Sequence, residues 1–265
     1  MLKPYVSLGI RDVCKKNVQG KFKFAYRGGS YLGAPGKEIY FGLKNMSDQE
    51  LNEISQILSN FFPIKSTPDN HVKWAACLRY IYGCFEKQGC LRSDSDCKRM
   101  KEEKPDWELS DKFINYLESN FLKSDNFYGL TLLYEMKGHR FGDQAIIFDE
   151  KFLDQMMIFY NKSLFFANKI NCVKHLFANY YWAASYYEKC NKIDNAIELH
   201  KKNITQMILY CPDNRQGYQS KAQDSIEFLR NNMQKDNFNQ WYNIVIKDIS
   251  KSKMSKWPIW KNFRK

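Results

Sequence analysis

What this sequence lacks narrows it more than what it contains. No apolar run approaches the roughly 20 residues a membrane-spanning helix needs, and mean hydropathy is −0.60, so no membrane span is expected. The start, MLKPYVSLGIRDVCKK, has no apolar stretch long enough for a secretory signal. Cytoplasmic residence is the expectation, with an organelle-targeting leader rich in Lys and Arg as the alternative. The chain has only four histidines (His71, His139, His175, His200), none at a ligand spacing from another, and HExxH and CxxC are both absent. No metal or cofactor is implied. No serine, cysteine or carboxylate pair sits in a context that suggests a reaction, so the sequence leans away from an enzyme, and any catalytic site would be one that sequence hides.

One stretch looks at first like an exception. YRGGSYLGAPGKEIYF (26–41) carries glycines and a lysine, as phosphate-binding loops do. Yet Tyr31 stands where a Walker loop needs its first glycine, Glu38 follows Lys37 where Ser or Thr should, and EIYFGL continues as a strand and not a helix. Gly28, Gly29, Gly33 and Pro35 fit a turn between strands better. With alternating Phe22, Phe24, Tyr26 and Ile39, Phe41, residues 1–45 read as a small β-containing segment.

Cysteine is sparse too. The eight (Cys14, Cys77, Cys84, Cys90, Cys97, Cys172, Cys190, Cys211) are too few for a disulfide scaffold. Cys77 and Cys84 share a helix face, as buried thiols would. Cys90 and Cys97 flank the polar LRSDSD, where free thiols, a disulfide and a shared metal all remain open readings.

Charge is abundant and unevenly placed. The net charge is +12. Residues 1–45 hold nine Lys/Arg against Asp12 and Glu38, and residues 236–265 hold seven against Asp236 and Asp248, so the two ends carry all of it. The tail, 251–265, sets Lys251, Lys253, Lys256, Lys261, Arg264 and Lys265 among Trp257, Trp260 and Phe263. Cations that track phosphates and rings that stack on bases would make it a polyanion site for RNA or DNA. The competing reading folds both tryptophans back onto the body and leaves the lysines merely solvated.

Between the ends, 46–250 has helical grammar. SDQELNEISQILSNFF opens on Ser47 with Glu50 three residues on, a capping box, and Pro63 closes it. Further helices are expected near 70–88, 109–122, 125–137, 149–169, 171–190, 193–211, 215–235 and 237–249, the last ambiguous for its Ile and Val content. The turn GHRFGD brings His139, Arg140 and Asp143 together, either as a site or as a local salt bridge.

Around the turn CNKID, Tyr180, Ala184, Tyr187, Asn191, Ile193 and Ala196 place a small residue on each of two helices, larger residues at the ends of their seam, and a residue tolerant of left-handed backbone at the turn. This resembles the tetratricopeptide helical hairpin in register, with Asn191 in place of its turn glycine and a second helix that runs on to Cys211. The resemblance covers residues 177–211. YEMKG (134–138) and FEKQG (85–89) repeat the aromatic-to-turn spacing, but at intervals that do not match a strict array. The fold expected is mainly α, an irregular stack of antiparallel helical hairpins with the N-terminal β-containing segment. The resemblance implies a non-catalytic interaction module or assembly subunit that holds another protein or peptide. It points to Lys174, Asn179, Tyr186 and Asn203 as exposed partner-binding positions. RNA or DNA binding through the basic ends is the alternative function.

Overall fold

In the computed structural model the described residues are 47–62, 64, 107–210 and 216–261. The expected β-containing segment, the helix near 70–88, Cys90, Cys97, Arg264 and Lys265 lie outside them. Among the described residues the fold is mainly helical, without strands: α1 (Asp48–Phe61), α2 (Trp107–Lys123), α3 (Phe127–Ile147), α4 (Phe152–Lys169), α5 (Val173–Lys189), α6 (Ile193–Tyr210), α7 (Gln216–Asn232) and α8 (Lys235–Ser250), followed by two short 3₁₀ turns, Lys253–Lys256 and Pro258–Lys261. None of these helices is long and apolar enough to cross a membrane. The chain forms two compact units, Met1–Arg140 and Phe141–Lys265, whose boundary falls within α3.

In the first unit α1 starts as its capping box dictates. The Glu50 N–H donates to Ser47 Oγ at 3.3 Å and the Ser47 N–H donates to the Glu50 carboxylate at 2.9 Å. It ends at Phe62, whose extended backbone (φ −74°, ψ 129°) is what the residue before a proline prefers. Asn120 Nδ2 donates to Ser55 Oγ at 2.7 Å, Asn126 Nδ2 donates to the Phe62 carbonyl at 3.0 Å, and the Phe62 ring meets Phe121 edge-on at 5.3 Å. These contacts fix α1 against α2. From Tyr128 to Arg140 every residue of α3 is buried, charged ones included. Lys137 and Arg140 are matched: the Glu118 carboxylate accepts from Lys137 Nζ and from the Tyr134 hydroxyl, each at 2.5 Å, and Arg140 forks onto Asp111 at 2.5 and 3.2 Å.

The expected turn at GHRFGD is instead the middle of α3, which runs ten residues past the expected end at 137. Gly142 is there for closeness and not for bending. A Cβ on it would come within 2.6 Å of the Tyr186 ring, so the glycine lets that ring lie flat on the helix backbone. The spacing of YEMKG therefore has no turn behind it.

Three connections share one geometry. Asp125, Asn171 and Asn191 adopt left-handed backbone, with φ of 50°, 51° and 57°. The next residue in each case, Asn126, Cys172 or Lys192, donates its N–H five residues back, to Phe121, Ala167 or Tyr187, at 2.8–2.9 Å. The left-handed residue itself donates three back, to Leu122, Asn168 or Glu188. These are Schellman caps. One connecting residue later the next helix begins, so each cap turns the chain into a hairpin.

In the second unit α4 packs on α5, α5 on α6, and α6 on both α7 and α8. Ala183, Ala184 and Ala196 are fully buried on the α5–α6 seam, which lets the two backbones approach. The ambiguous segment near 237–249 is helical, and its buried residues Phe238, Tyr242, Val245 and Ile249 fall at helical intervals.

Two expectations follow for stability. Asn191→Val forces a β-branched residue into left-handed backbone and lowers unfolding free energy by about 1–2 kcal/mol, while Asn191→Gly stays within about 1 kcal/mol of wild type; urea denaturation of the full chain reads both. Gly142→Ala displaces the Tyr186 ring and costs about 1–3 kcal/mol, seen as a lowered Tm.

Candidate functional site

On α5 the residues that face inward are His175 to Asn179, Ala183, Ala184, Tyr186 and Tyr187. The helix is left with a partly exposed stripe at Tyr181, Ser185 and Glu188, spaced i, i+4, i+7, with Trp182 beside it. α7 lies alongside. The Phe177 and Tyr218 rings meet edge-on at 5.1 Å, and the Tyr181 hydroxyl donates to Asp224 Oδ2 at 2.8 Å. Lys221 of α7 puts its ammonium over two rings at once, 4.9 Å from the Tyr181 centroid and 4.8 Å from that of Trp182. The rings are inclined at 72° with centroids 5.1 Å apart, so they present two walls to that charge. Burial, the hydrogen bond to Asp224, and the charges of Asp224 and Glu188 all push the Tyr181 phenol pKa up, which keeps it a donor.

Beneath this face runs a chain of buried polar groups. Asn203 Nδ2 donates to Ser225 Oγ at 2.8 Å; Ser225 Oγ lies 2.8 Å from His200 Nδ1; His200 Nε2 lies 2.5 Å from Glu188 Oε1. Ser225 has one proton to give. The Glu188 carboxylate can only accept, so Nε2–H donates to it; in the neutral imidazole Nδ1 is then the acceptor, and the Ser225 hydroxyl donates to Nδ1 while its oxygen accepts from Asn203. Every link then has one donor and one acceptor. The Phe228 ring covers the imidazole at a centroid distance of 4.7 Å.

Serine, histidine and glutamate in hydrogen-bonded order are the components of a hydrolytic triad, and burial decides against that chemistry. A nucleophile must face substrate while its carboxylate orients the histidine from behind. Here Ser225 is 0 % exposed and the Glu188 side chain is 32 % exposed. The polarity is reversed: the interior end of the chain holds the outward carboxylate in place. His200 is thereby a packed core histidine. Among the described residues no group of three or more His, Cys, Asp or Glu side chains is placed to hold a metal. Burial raises the pKa of the Cys190 thiol.

The positions marked from sequence land elsewhere. Asn179 is buried and donates to Ser163 Oγ at 2.9 Å; Asn203 is the interior end of the polar chain; Tyr186 is buried on Gly142 and donates to Asp143 Oδ1 at 2.9 Å. These three do not offer an exposed surface, because each faces a neighbouring helix that sequence alone did not place. Lys174 stands in the first turn of α5, with its side chain outside the described positions. Arg140 and Asp143 are engaged separately, with Asp111 and Tyr186. The polar stripe 181–185–188 was present in the sequence as a helical interval, but nothing there showed that Lys221 and Asp224 stand opposite it.

The aromatic tail is also corrected. Trp257 and Trp260 are buried against α8, with Met254 and Ile259. Their rings stack at 6.2 Å, Trp260 Nε1 donates to the Met254 carbonyl at 2.8 Å, and the Tyr242 hydroxyl donates to the Trp260 carbonyl at 3.3 Å. With both indoles in the core, neither is presented to a base. Lys251 and Lys256 are exposed, and the side chains of Lys253 and Lys261 lie outside the described positions.

Compared with known protein families, with characterised proteins and with solved structures, the chain shows no significant match.

Ser225→Ala strips partners from two buried groups, His200 Nδ1 and Asn203 Nδ2. It lowers unfolding free energy by about 1–3 kcal/mol, whereas Ser185→Ala on the partly exposed stripe stays within about 0.5 kcal/mol; urea denaturation separates the two.

Proposed function

We propose that this chain is a non-catalytic interaction module, a subunit or adaptor, whose α5–α7 face receives a segment of another protein. The observation that carries this reading is the polar chain Asn203–Ser225–His200–Glu188. It spends a buried serine and histidine on fixing an outward carboxylate, next to two partly exposed rings on the same face. Rigid aromatic and charged groups on a packed scaffold suit recognition, because little conformational entropy is lost when they engage. The tetratricopeptide resemblance supports the same reading, since Asn191 takes the left-handed turn and Ala184 and Ala196 pack at the seam. The partner-binding residues are then Tyr181, Trp182, Ser185, Glu188, Lys221 and Asp224. Nucleic-acid binding through the tail loses Trp257 and Trp260 as stacking rings, since both are buried.

The test is a photo-crosslinking amino acid, p-benzoylphenylalanine, placed at position 185 in the full chain and, as a control, at Thr205, which is exposed on α6. The expected result in native extract is a discrete adduct from position 185, absent from 205 and reduced by Glu188→Lys with Asp224→Lys. Identical adducts from both positions, or none from either, would remove this reading.

A further inference from the structure

The composition of the α5–α7 face favours one kind of incoming group. Two ring faces inclined at 72°, Tyr181 and Trp182, meet beside the Asp224 carboxylate. Asp224 accepts from the Tyr181 hydroxyl at 2.8 Å, which occupies one of its oxygens. Glu188 accepts from His200 through Oε1, and its side chain is partly exposed. Glu188 is tied to the same ring through His200, whose imidazole centroid lies 6.3 Å from that of Tyr181. The arrangement already holds a cation: Lys221 Nζ sits at 4.8–4.9 Å from both ring centroids. The Tyr181 ring is thus bordered by Asp224, by the His200–Glu188 pair and by the Lys221 ammonium, on a chain whose net charge is +12.

We infer that Tyr181, Trp182, Glu188 and Asp224 form a subsite for a cationic side chain, an arginine of a basic partner segment, with Lys221 as its resident stand-in. This rests on the interaction reading above and names the class of partner. A guanidinium is planar, stacks on aromatic faces, and presents a fork of donors to carboxylates, whereas an ammonium is a compact, strongly hydrated charge on a flexible stem. Arginine therefore gains more from two walls and two carboxylates than Lys221 does, and displaces the lysine charge towards water as it enters. Binding in this form needs no rearrangement of the backbone, because the polar chain below already fixes Glu188.

The probe is Nα-acetylarginine amide titrated into the full-length chain. The Trp182 indole N–H signal is followed by NMR and assigned with Trp182→Phe. Nα-acetylcitrulline amide, of the same shape but neutral, is the control. The expected result is a saturable shift at millimolar arginine amide and none with citrulline amide. Lys221→Met tightens binding by about fivefold, the size of one cation–π contact of about 1 kcal/mol. Glu188→Gln and Asp224→Asn keep their acceptor oxygens for His200 and Tyr181, so the fold is retained, and each weakens binding by at least about threefold. Equal shifts from arginine and citrulline, or no shift even in Lys221→Met, would overturn the subsite. The crosslink at position 185 separates this failure from the broader one: an adduct there without an arginine response leaves an interaction face that reads something other than a cation.

Discussion

A helix ends with carbonyls that have no donor ahead of them, and in this chain three helices meet that requirement in the same way. Asp125, Asn171 and Asn191 turn left-handed, so that the following N–H reaches five residues back. Only a residue that tolerates positive φ does this at low cost, and after glycine, Asn and Asp are the residues that most readily do. Because each cap is followed by a single connecting residue, it also sets where the next helix starts. The α5–α6 seam, and the burial of Ala184 against Ala196, depend on that geometry.

Side-chain packing then turns these hairpins into a scaffold with two kinds of face. Inward, small residues and glycine allow close approach, as where the Tyr186 ring lies on Gly142. One set of polar groups that ends up inside is paired along a line that leads outward, the run from Asn203 to Glu188. The same residues could have made a reaction centre. Which end of the chain meets solvent is what separates a nucleophile from a support, and here the carboxylate does.

Much of the helical architecture was legible, because it is written in local terms. The Ser47–Glu50 box, the stop before Pro63 and the turn at Asn191 each involve residues within a few positions of one another. The repetition of that turn at Asp125 and Asn171 was equally present and went unread, since a single Asx residue between apolar runs is a weak sign. GHRFGD misled for the opposite reason: glycine signals a turn locally, but Gly142 answers to a ring 44 positions along the chain. The exposed face was the least legible part. Asn179, Tyr186 and Asn203 are polar or amphipathic, which by itself suggests a surface, yet each faces a helix whose placement no local pattern gives.

By itself the sequence determined that the described residues between 47 and 250 fold largely as helices of ordinary length, several of them joined by short turns. Apolar period, caps and left-handed residues are local, and they act before any two helices meet. It also determined the bulk charge and its placement at the ends. Only the tertiary structure decided which side of each helix faces water. That choice buried Trp257 and Trp260 and made Asn203 the interior end of its polar chain, with Ser225 buried beside it. It also brought Lys221 and Asp224 of α7 beside Tyr181, Trp182 and Glu188 of α5. The physical reason is that burial is a property of neighbours, and the neighbours that matter here are separated by some 40 residues of chain.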